Sequence, residues 1–211
     1  MLVNKKLHRT KVKVCGMTDP VNAAAVIELG VDAIGMILHA KSPRTINVEQ
    51  AKKIRARVPA FVSLVGVFVD CDVDTINRYS DDIGLDLIQL HGNETSAFAA
   101  QLNTPYIKAI RAQSSTQVNQ AINAYPEARA LLLDPYVKGQ HGGTGKRLDL
   151  DLWPVQCTQP LVLAGGLSAE NVQGAVESVA PFAVDLNSGI ESSAGIKDIA
   201  LLESALVSLG R

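Results

Sequence analysis

The sequence predicts an α/β fold, a single (β/α)8 TIM barrel. Short apolar runs that read as strands alternate eight times with longer runs that read as helices. Such alternation forces parallel strands with right-handed crossovers, and eight units favour a closed barrel over an open sheet. The chain has 211 residues, 47% of them hydrophobic, enough for one sizeable core. We therefore expect residues 1–211 to form one domain, with residues 1–10 as a short N-terminal extension.

The predicted elements follow one another in a regular order. Strands are expected at residues 11–15, 33–38, 61–69, 87–90, 106–110, 130–133, 161–164 and 183–186. Helices are expected at 19–29, 48–58, 73–83, 94–102, 117–124, 169–179 and 196–209, with a weak helix at 151–155. Asp19 and Pro20 suit the start of the first helix, and Gly30 suits its end.

Composition excludes several classes of protein. The net charge of -1 argues against a general binder of nucleic acid or of a membrane surface. Three cysteines without paired spacing argue against a disulfide framework or a zinc knuckle, and the four histidines form no metal-ligand motif. No apolar run is long enough to span a bilayer, and residues 1–10 lack the apolar core of a signal peptide. We expect a soluble, cytoplasmic protein.

Residues with useful chemistry follow several predicted strands, where barrel enzymes hold their active sites. Cys15 ends the first predicted strand and Asp134 comes directly after the sixth. With Cys15 as general base and Asp134 as general acid on opposite sides of the barrel opening, or mouth, the site would suit a proton-transfer isomerisation. This requires that nearby positive charge lowers the pKa of the thiol. The alternatives are that Cys15 is a small buried apolar residue and that Asp134 is a turn residue before Pro135.

Other candidates lie at the same predicted end of the barrel. Arg44 could bind a planar carboxylate at two points, or it could be a solvated surface charge. Gln89, His91 and Asp185 also stand at strand ends, and for His91 a structural role is the alternative.

Two glycine-containing loops follow the seventh and eighth strands. Gly165 and Gly166 form part of the first loop, and Ser188 and Gly189 of the second. Loops in these two positions often form a phosphate site in barrels, because backbone N–H groups can approach the ligand closely. Tight turns alone would also use glycine, but two such loops in these positions favour phosphate binding.

Taken together, these residues resemble the phosphoribosylanthranilate isomerase family, over nearly the whole chain. The resemblance is carried by KVCGMT at 13–18, KSPR at 41–44, VGVFV at 65–69, QLHG at 89–92, LD at 133–134, GGTGK at 142–146, LAGGL at 163–167, DLNSGIE at 185–191 and GIKD at 195–198. Each motif is modest alone, whereas all of them in order are specific. There are also departures: LDL at 148–150 replaces the usual Phe-Asp-Trp, and an expected proline near Ala194 is absent.

The resemblance implies an Amadori rearrangement in tryptophan biosynthesis, acting on a small-molecule phosphoribosyl substrate without a metal or an organic cofactor. It implies that Asp134 protonates the furanose ring oxygen and that Cys15 removes the C2′ proton of the resulting Schiff base. Arg44 would hold the anthranilate carboxylate, and the two glycine loops would hold the phosphate. Gln89, His91 and Asp185 would contact the substrate. We expect a monomer or a homodimer, with no nucleic-acid or membrane partner.

Two other hypotheses stay open on the sequence. One is another phosphosugar barrel enzyme, such as a ribulose-phosphate epimerase or an indole-glycerol-phosphate synthase. The first would need metal-ligating histidines at strand ends and the second a set of catalytic lysines, and neither pattern is present. The other is a catalytically silent barrel that binds a phosphoribosyl ligand or a protein, which the intact Cys15, Arg44 and Asp134 argue against.

Overall fold

Eight parallel strands close into one barrel in chain order, which confirms the predicted fold class. The structure is a computed structural model that describes residues 9–136 and 147–211. The strands are β1 (Lys11–Val14), β2 (Ala33–His39), β3 (Ser63–Phe68), β4 (Leu87–Leu90), β5 (Tyr106–Ala112), β6 (Leu131–Pro135), β7 (Leu161–Leu163) and β8 (Ala183–Leu186). Parallel pairing of β1 with β8 closes the barrel and sets Lys13 opposite Asp185.

The described residues form seven α-helices, which lie between or after the strands. They are α1 (Pro20–Glu28), α2 (Val48–Arg55), α3 (Val73–Ile83), α4 (Ser96–Ala99), α5 (Ser115–Ala124), α6 (Val172–Val179) and α7 (Ile199–Ser208). Between β6 and β7 the described residues hold only a 3₁₀ turn, Leu150–Leu152, where the sequence predicted a weak helix. The α4 helix is a single turn and is much shorter than the predicted 94–102.

Local capping explains why α1 begins where the sequence predicted. The Asp19 side chain accepts hydrogen bonds from the backbone N–H groups of Val21 (3.0 Å) and Asn22 (2.7 Å). Pro20 is the first helical residue, where its missing N–H leaves no donor unpaired. Gly30 follows the helix with φ +81°, a conformation that favours glycine.

The last helix begins later than predicted. Residues 196–209 were expected to be helical, but α7 starts at Ile199, where Asp198 caps it. The preceding residues form a two-stranded antiparallel hairpin from β9 (Glu191–Ser193) and β10 (Ile196–Lys197). This hairpin follows β8 and so lies beside the barrel mouth, where it bears on the site described below.

Apolar side chains fill the barrel interior below the mouth. One cluster lies inside the barrel: Ile107, Ala109, Ala130, Leu132, Val162, Ala164 and Ala183. A larger cluster packs the outer faces of the strands against the helices. The buried charged side chains of the described residues include Lys13 and Asp185. Within the described ranges, no helix is long and apolar enough to cross a membrane.

Candidate active site

A cavity of about 1060 Å³ opens at the carboxyl ends of the barrel strands. All ten residues that the sequence singled out line it: Cys15, Arg44, Gln89, His91, Asp134, Gly165, Gly166, Asp185, Ser188 and Gly189. The topology explains this convergence, because the carboxyl ends of parallel barrel strands all meet at one face. Cys15 and Asp134 therefore share one cavity, while the chemical roles of the ten residues remain predictions.

Cys15 lies directly after β1, and its backbone N–H donates to the Leu186 carbonyl oxygen at 2.8 Å. The thiol is buried and packs against Gly35, where a Cβ atom would lie only 2.9 Å from Sγ. Burial raises the pKa of the Cys15 thiol, and the nearby Lys13 ammonium opposes that rise without cancelling it. The positive charge that a thiolate base requires is thus present, but burial has the larger effect.

Lys13 and Asp185 form a buried ion pair beneath Cys15. The Lys13 Nζ donates to both carboxylate oxygens of Asp185, at 2.9 Å each. Burial lowers the pKa of Lys13, but the Asp185 carboxylate and the Cys15 sulfur together more than offset it, so the pKa of Lys13 is raised. A cation is therefore held within reach of the thiol.

Asp134 lies on the opposite side of the cavity, in β6, and is buried. Its Oδ2 atom is 3.4 Å from Nε2 of His91, and His91 Nδ1 is 2.9 Å from Nε2 of Gln89. An amide, an imidazole and a carboxyl group thus stand in a row along the cavity wall. Within the described ranges, Gln89 Oε1 and His91 Nε2 have no hydrogen-bond partner. Both atoms are themselves buried, and each keeps unused hydrogen-bonding capacity at the cavity wall.

Arg44 is held by another side chain and is not a solvated surface charge. Its Nε and Nη2 atoms donate to the two carboxylate oxygens of Glu191, at 2.8 Å and 2.6 Å. Only 12% of the Arg44 side chain is exposed, and the pairing raises the pKa of the guanidinium. The guanidinium lines the cavity and keeps its charge at any working pH.

The two glycine loops meet at the rim of the cavity. Gly165 and Gly166 have φ values of +92° and +57°, which favour glycine. Their backbone N–H groups make no hydrogen bonds to other described residues. Asn171 fastens this loop by donating from Nδ2 to the Gly166 carbonyl oxygen at 2.9 Å. At Gly189 a Cβ atom would collide with the Leu167 carbonyl oxygen, so glycine there lets the two loops touch.

Sequence reasoning missed two charged residues of the site, Glu191 and Lys197. Both belong to the hairpin that was partly assigned to the last helix, and Lys197 is 2% exposed. Both lie in segments that carry the family resemblance, DLNSGIE and GIKD, but the sequence assigned neither residue a role, because their partners are remote in sequence. The GGTGK segment at 142–146, which the sequence placed in the sixth loop, lies outside the described residues. In the described part of the chain, no three His, Cys, Asp or Glu side chains gather as a metal ion would require.

Comparison with known proteins gives matches along almost the whole chain. The family model described as N-(5′-phosphoribosyl)anthranilate (PRA) isomerase matches residues 12–207. The N-(5′-phosphoribosyl)anthranilate isomerase of Pseudomonas fluorescens strain Pf0-1 is 45% identical over 198 residues, covering 94% of this chain and 97% of that protein.

Solved structures agree with the sequence comparison. The phosphoribosyl anthranilate isomerase of Thermus thermophilus superimposes with a TM-score of 0.85 at 31% identity, covering 95% of this chain and 98% of that one. A phosphoribosyl anthranilate isomerase in complex with reduced 1-(o-carboxyphenylamino)-1-deoxyribulose 5-phosphate gives a TM-score of 0.81 at 32% identity, with the same coverage.

Proposed function

The chain belongs to the N-(5′-phosphoribosyl)anthranilate isomerase family, and we propose that Asp134 and Cys15 carry out the proton transfers of its reaction. The enzyme is an isomerase of tryptophan biosynthesis. It converts N-(5′-phosphoribosyl)anthranilate into 1-(2-carboxyphenylamino)-1-deoxyribulose 5-phosphate by an Amadori rearrangement. The single observation that supports the assignment of roles is that a buried thiol and a buried carboxyl group line one cavity from opposite sides.

Asp134 acts first, as the general acid. It gives its proton to the furanose ring oxygen, the bond between that oxygen and C1′ breaks, and the anthranilate nitrogen supplies the electron pair that forms the Schiff base. The Asp134 carboxyl group is buried and faces the cavity beside His91, within reach of a substrate bound there. The product of this step is an open-chain iminium with a proton on C2′ that is now acidic.

Cys15 acts second, as the general base. The sulfur takes the C2′ proton, and the C–H electron pair moves to form a C1′–C2′ double bond and neutralises the iminium nitrogen. The Lys13 ammonium favours the thiolate that this step requires, against the opposing effect of burial. The enol that forms then tautomerises to the ketose.

The remaining site residues bind the substrate. Arg44 holds the anthranilate carboxylate through its guanidinium, a pairing in which two N–H groups can face two oxygens. The loops containing Gly165, Gly166, Ser188 and Gly189 hold the phosphate through backbone N–H groups. Gln89 and His91 contact the sugar from the cavity wall that they line, and Asp185 lines the same cavity while bonded to Lys13.

Turnover of the substrate tests this proposal. Freshly made phosphoribosylanthranilate is fluorescent, and its loss is followed with and without a chelator. We expect turnover that the chelator leaves unchanged. Absence of turnover would contradict the isomerase mechanism, and sensitivity to the chelator would indicate a metal-dependent reaction instead.

We further propose that the enzyme works in the cytoplasm as a monomer or a homodimer, on a small-molecule phosphoribosyl substrate, with no nucleic-acid or membrane partner. The near-zero net charge supports the last point. Light scattering during size-exclusion chromatography measures the assembly directly. A species larger than a dimer would contradict the proposed state.

A further inference from the structure

We propose that Glu191 is a positioning residue that presents one edge of the Arg44 guanidinium to the substrate carboxylate, with Lys197 as its counter-ion. The inference rests on the proposed role of Arg44 in binding that carboxylate. It concerns two residues to which the sequence assigned no role, and it gives them a part in selecting an anionic substrate.

The hydrogen bonds of Arg44 leave one edge of its guanidinium open. Glu191 accepts from Nε and Nη2, which form one side of the planar group. The other edge, formed by Nη1 and the second hydrogen of Nη2, makes no hydrogen bond to the described residues. Arg44 lines the cavity, and Glu191 is not among the described residues that line it. The carboxylate therefore lies behind the guanidinium, and the open edge can take a second carboxylate at two points.

The aliphatic part of the Arg44 side chain, here called its arm, is fixed as well as the guanidinium. A Cβ atom at Gly16 would lie 2.8 Å from Arg44 Cδ and 2.8 Å from Asn187 Oδ1, so the arm crosses the end of β1 in close contact. Gly16 has a φ of +78°, which also favours glycine. Packing along the arm and two hydrogen bonds at the head leave the guanidinium little freedom to turn.

Lys197 keeps Glu191 from neutralising Arg44. Its fully buried Nζ donates to Glu191 Oε1 at 2.7 Å and to Asn187 Oδ1 at 2.8 Å. Burial opposes ionisation of Glu191, but hydrogen bonds from Arg44 and Lys197 lower the pKa of its carboxyl group to about 2. One carboxylate thus stands between two cations, and the cluster keeps one positive charge in excess. An anionic group that enters from the cavity meets that excess charge.

The hairpin that carries Glu191 is tied to the segment that follows Cys15. The backbone N–H of Gly195 donates to Glu191 Oε1 at 3.1 Å, and Thr18 Oγ1 donates to the Gly195 carbonyl oxygen at 2.8 Å. The Asn22 side chain pairs with the backbone of Lys197 in both directions, at 2.8 Å and 2.9 Å. The hairpin therefore sets the Glu191 carboxylate in a fixed position relative to the mouth.

The experiment compares Glu191→Gln with the wild type in steady-state kinetics on phosphoribosylanthranilate. Glutamine keeps the shape but weakens the charge-assisted bonds to Arg44, so we expect KM to rise about tenfold while kcat stays within about twofold. The matched control is Glu49→Gln, because the Glu49 side chain is 79% exposed and pairs only with Lys52. We expect that variant to behave as wild type. An unchanged KM in a folded Glu191→Gln protein would overturn the inference.

A double-mutant cycle separates positioning from general destabilisation. We expect Arg44→Ala to raise KM, and Glu191→Gln to add nothing further once Arg44 is gone. Additive effects would overturn the positioning role, whereas an unchanged KM in Arg44→Ala would overturn the proposed role of Arg44 itself. If Glu191→Gln does not fold, the cycle is run with Glu191→Asp, which keeps the charge at a shorter reach and should raise KM less than Arg44→Ala does.

Discussion

The two halves of the cavity mouth surround their reactive groups with different charges. On the half formed by β1 and β8, the Cys15 thiol stands within electrostatic reach of Lys13, Arg44 and Lys197. A thiol acts as a base only as a thiolate, and cations stabilise that form against burial. These three cations stand against two carboxylates, Asp185 and Glu191, so this half of the mouth keeps an excess of positive charge around the proposed base.

The opposite half places its carboxyl group beside an imidazole and an amide. Asp134 faces the imidazole of His91, and behind the imidazole lies the amide of Gln89. A carboxyl group acts as a general acid only while it holds a proton, and a lysine or arginine in direct contact would favour losing it. The contrast teaches that the proposed base and the proposed acid have different surroundings: the base lies among cations, and the acid lies beside an imidazole and an amide.

Removing the acid should have the largest effect on the rate. Asparagine at position 134 keeps the shape of the side chain but has no proton to give, so we expect Asp134→Asn to lower kcat by about a hundredfold or more. Stopped assays at high substrate concentration measure kcat directly. Near-normal kcat in this variant would show that ring opening does not depend on Asp134.

Removing the cation beneath the base should have a smaller effect, and one that depends on pH. Without Lys13 the pKa of Cys15 rises further. In a plot of kcat/KM against pH, the limb in which activity rises with pH therefore moves to higher pH. Activity near neutrality then falls about tenfold for each pH unit by which the limb moves. Because Lys13→Met alone leaves the Asp185 carboxylate buried without its partner, the matched variant is Lys13→Met with Asp185→Asn. Asp185 itself raises the pKa of Cys15, but less than Lys13 lowers it, so the limb of this double variant still moves to higher pH, by a smaller amount. A limb that stays at the wild-type pH would contradict the role of Lys13.

The smallest effect is on stability in acid and concerns Glu191. Its pKa is about 2 in the folded protein and 4.5 as a free side chain. The contribution to the free energy of unfolding is therefore complete above about pH 4.5 and is lost as the pH falls toward 2. At about pH 3.5 the loss attributable to this group is about 1 kcal/mol. Urea unfolding at several pH values measures it, and Glu191→Gln should flatten the dependence in that range.

Much of the fold could be predicted because the strands are continuous apolar runs. Residues 87–90 and 183–186 form strands with the predicted bounds. The site could be located because strand ends converge in a barrel, which places Cys15 and Asp134 at one mouth although they lie far apart in sequence. Neither inference needs knowledge of which side chains touch.

The sequence could not supply the partners of those side chains. Arg44 and Glu191 are 147 positions apart, and nothing local to either residue marks the pair. The hairpin was missed because Ile196 and Lys197 continue into an apolar helical pattern in the sequence. In the structure Asp198 caps the helix, which begins at Ile199 and not at the predicted Ile196. The balance between burial and positive charge at Cys15 also depends on packing, which only the structure gives.

The central claim is that a thiol on the cationic half of the mouth is the base, and Cys15→Ser tests it most directly. A serine hydroxyl has nearly the same shape but is a far weaker acid than a thiol, so it cannot form the anion near neutrality. We predict that kcat for phosphoribosylanthranilate falls by about a hundredfold or more while KM changes little. Near-wild-type turnover by the folded Cys15→Ser protein would contradict the assignment.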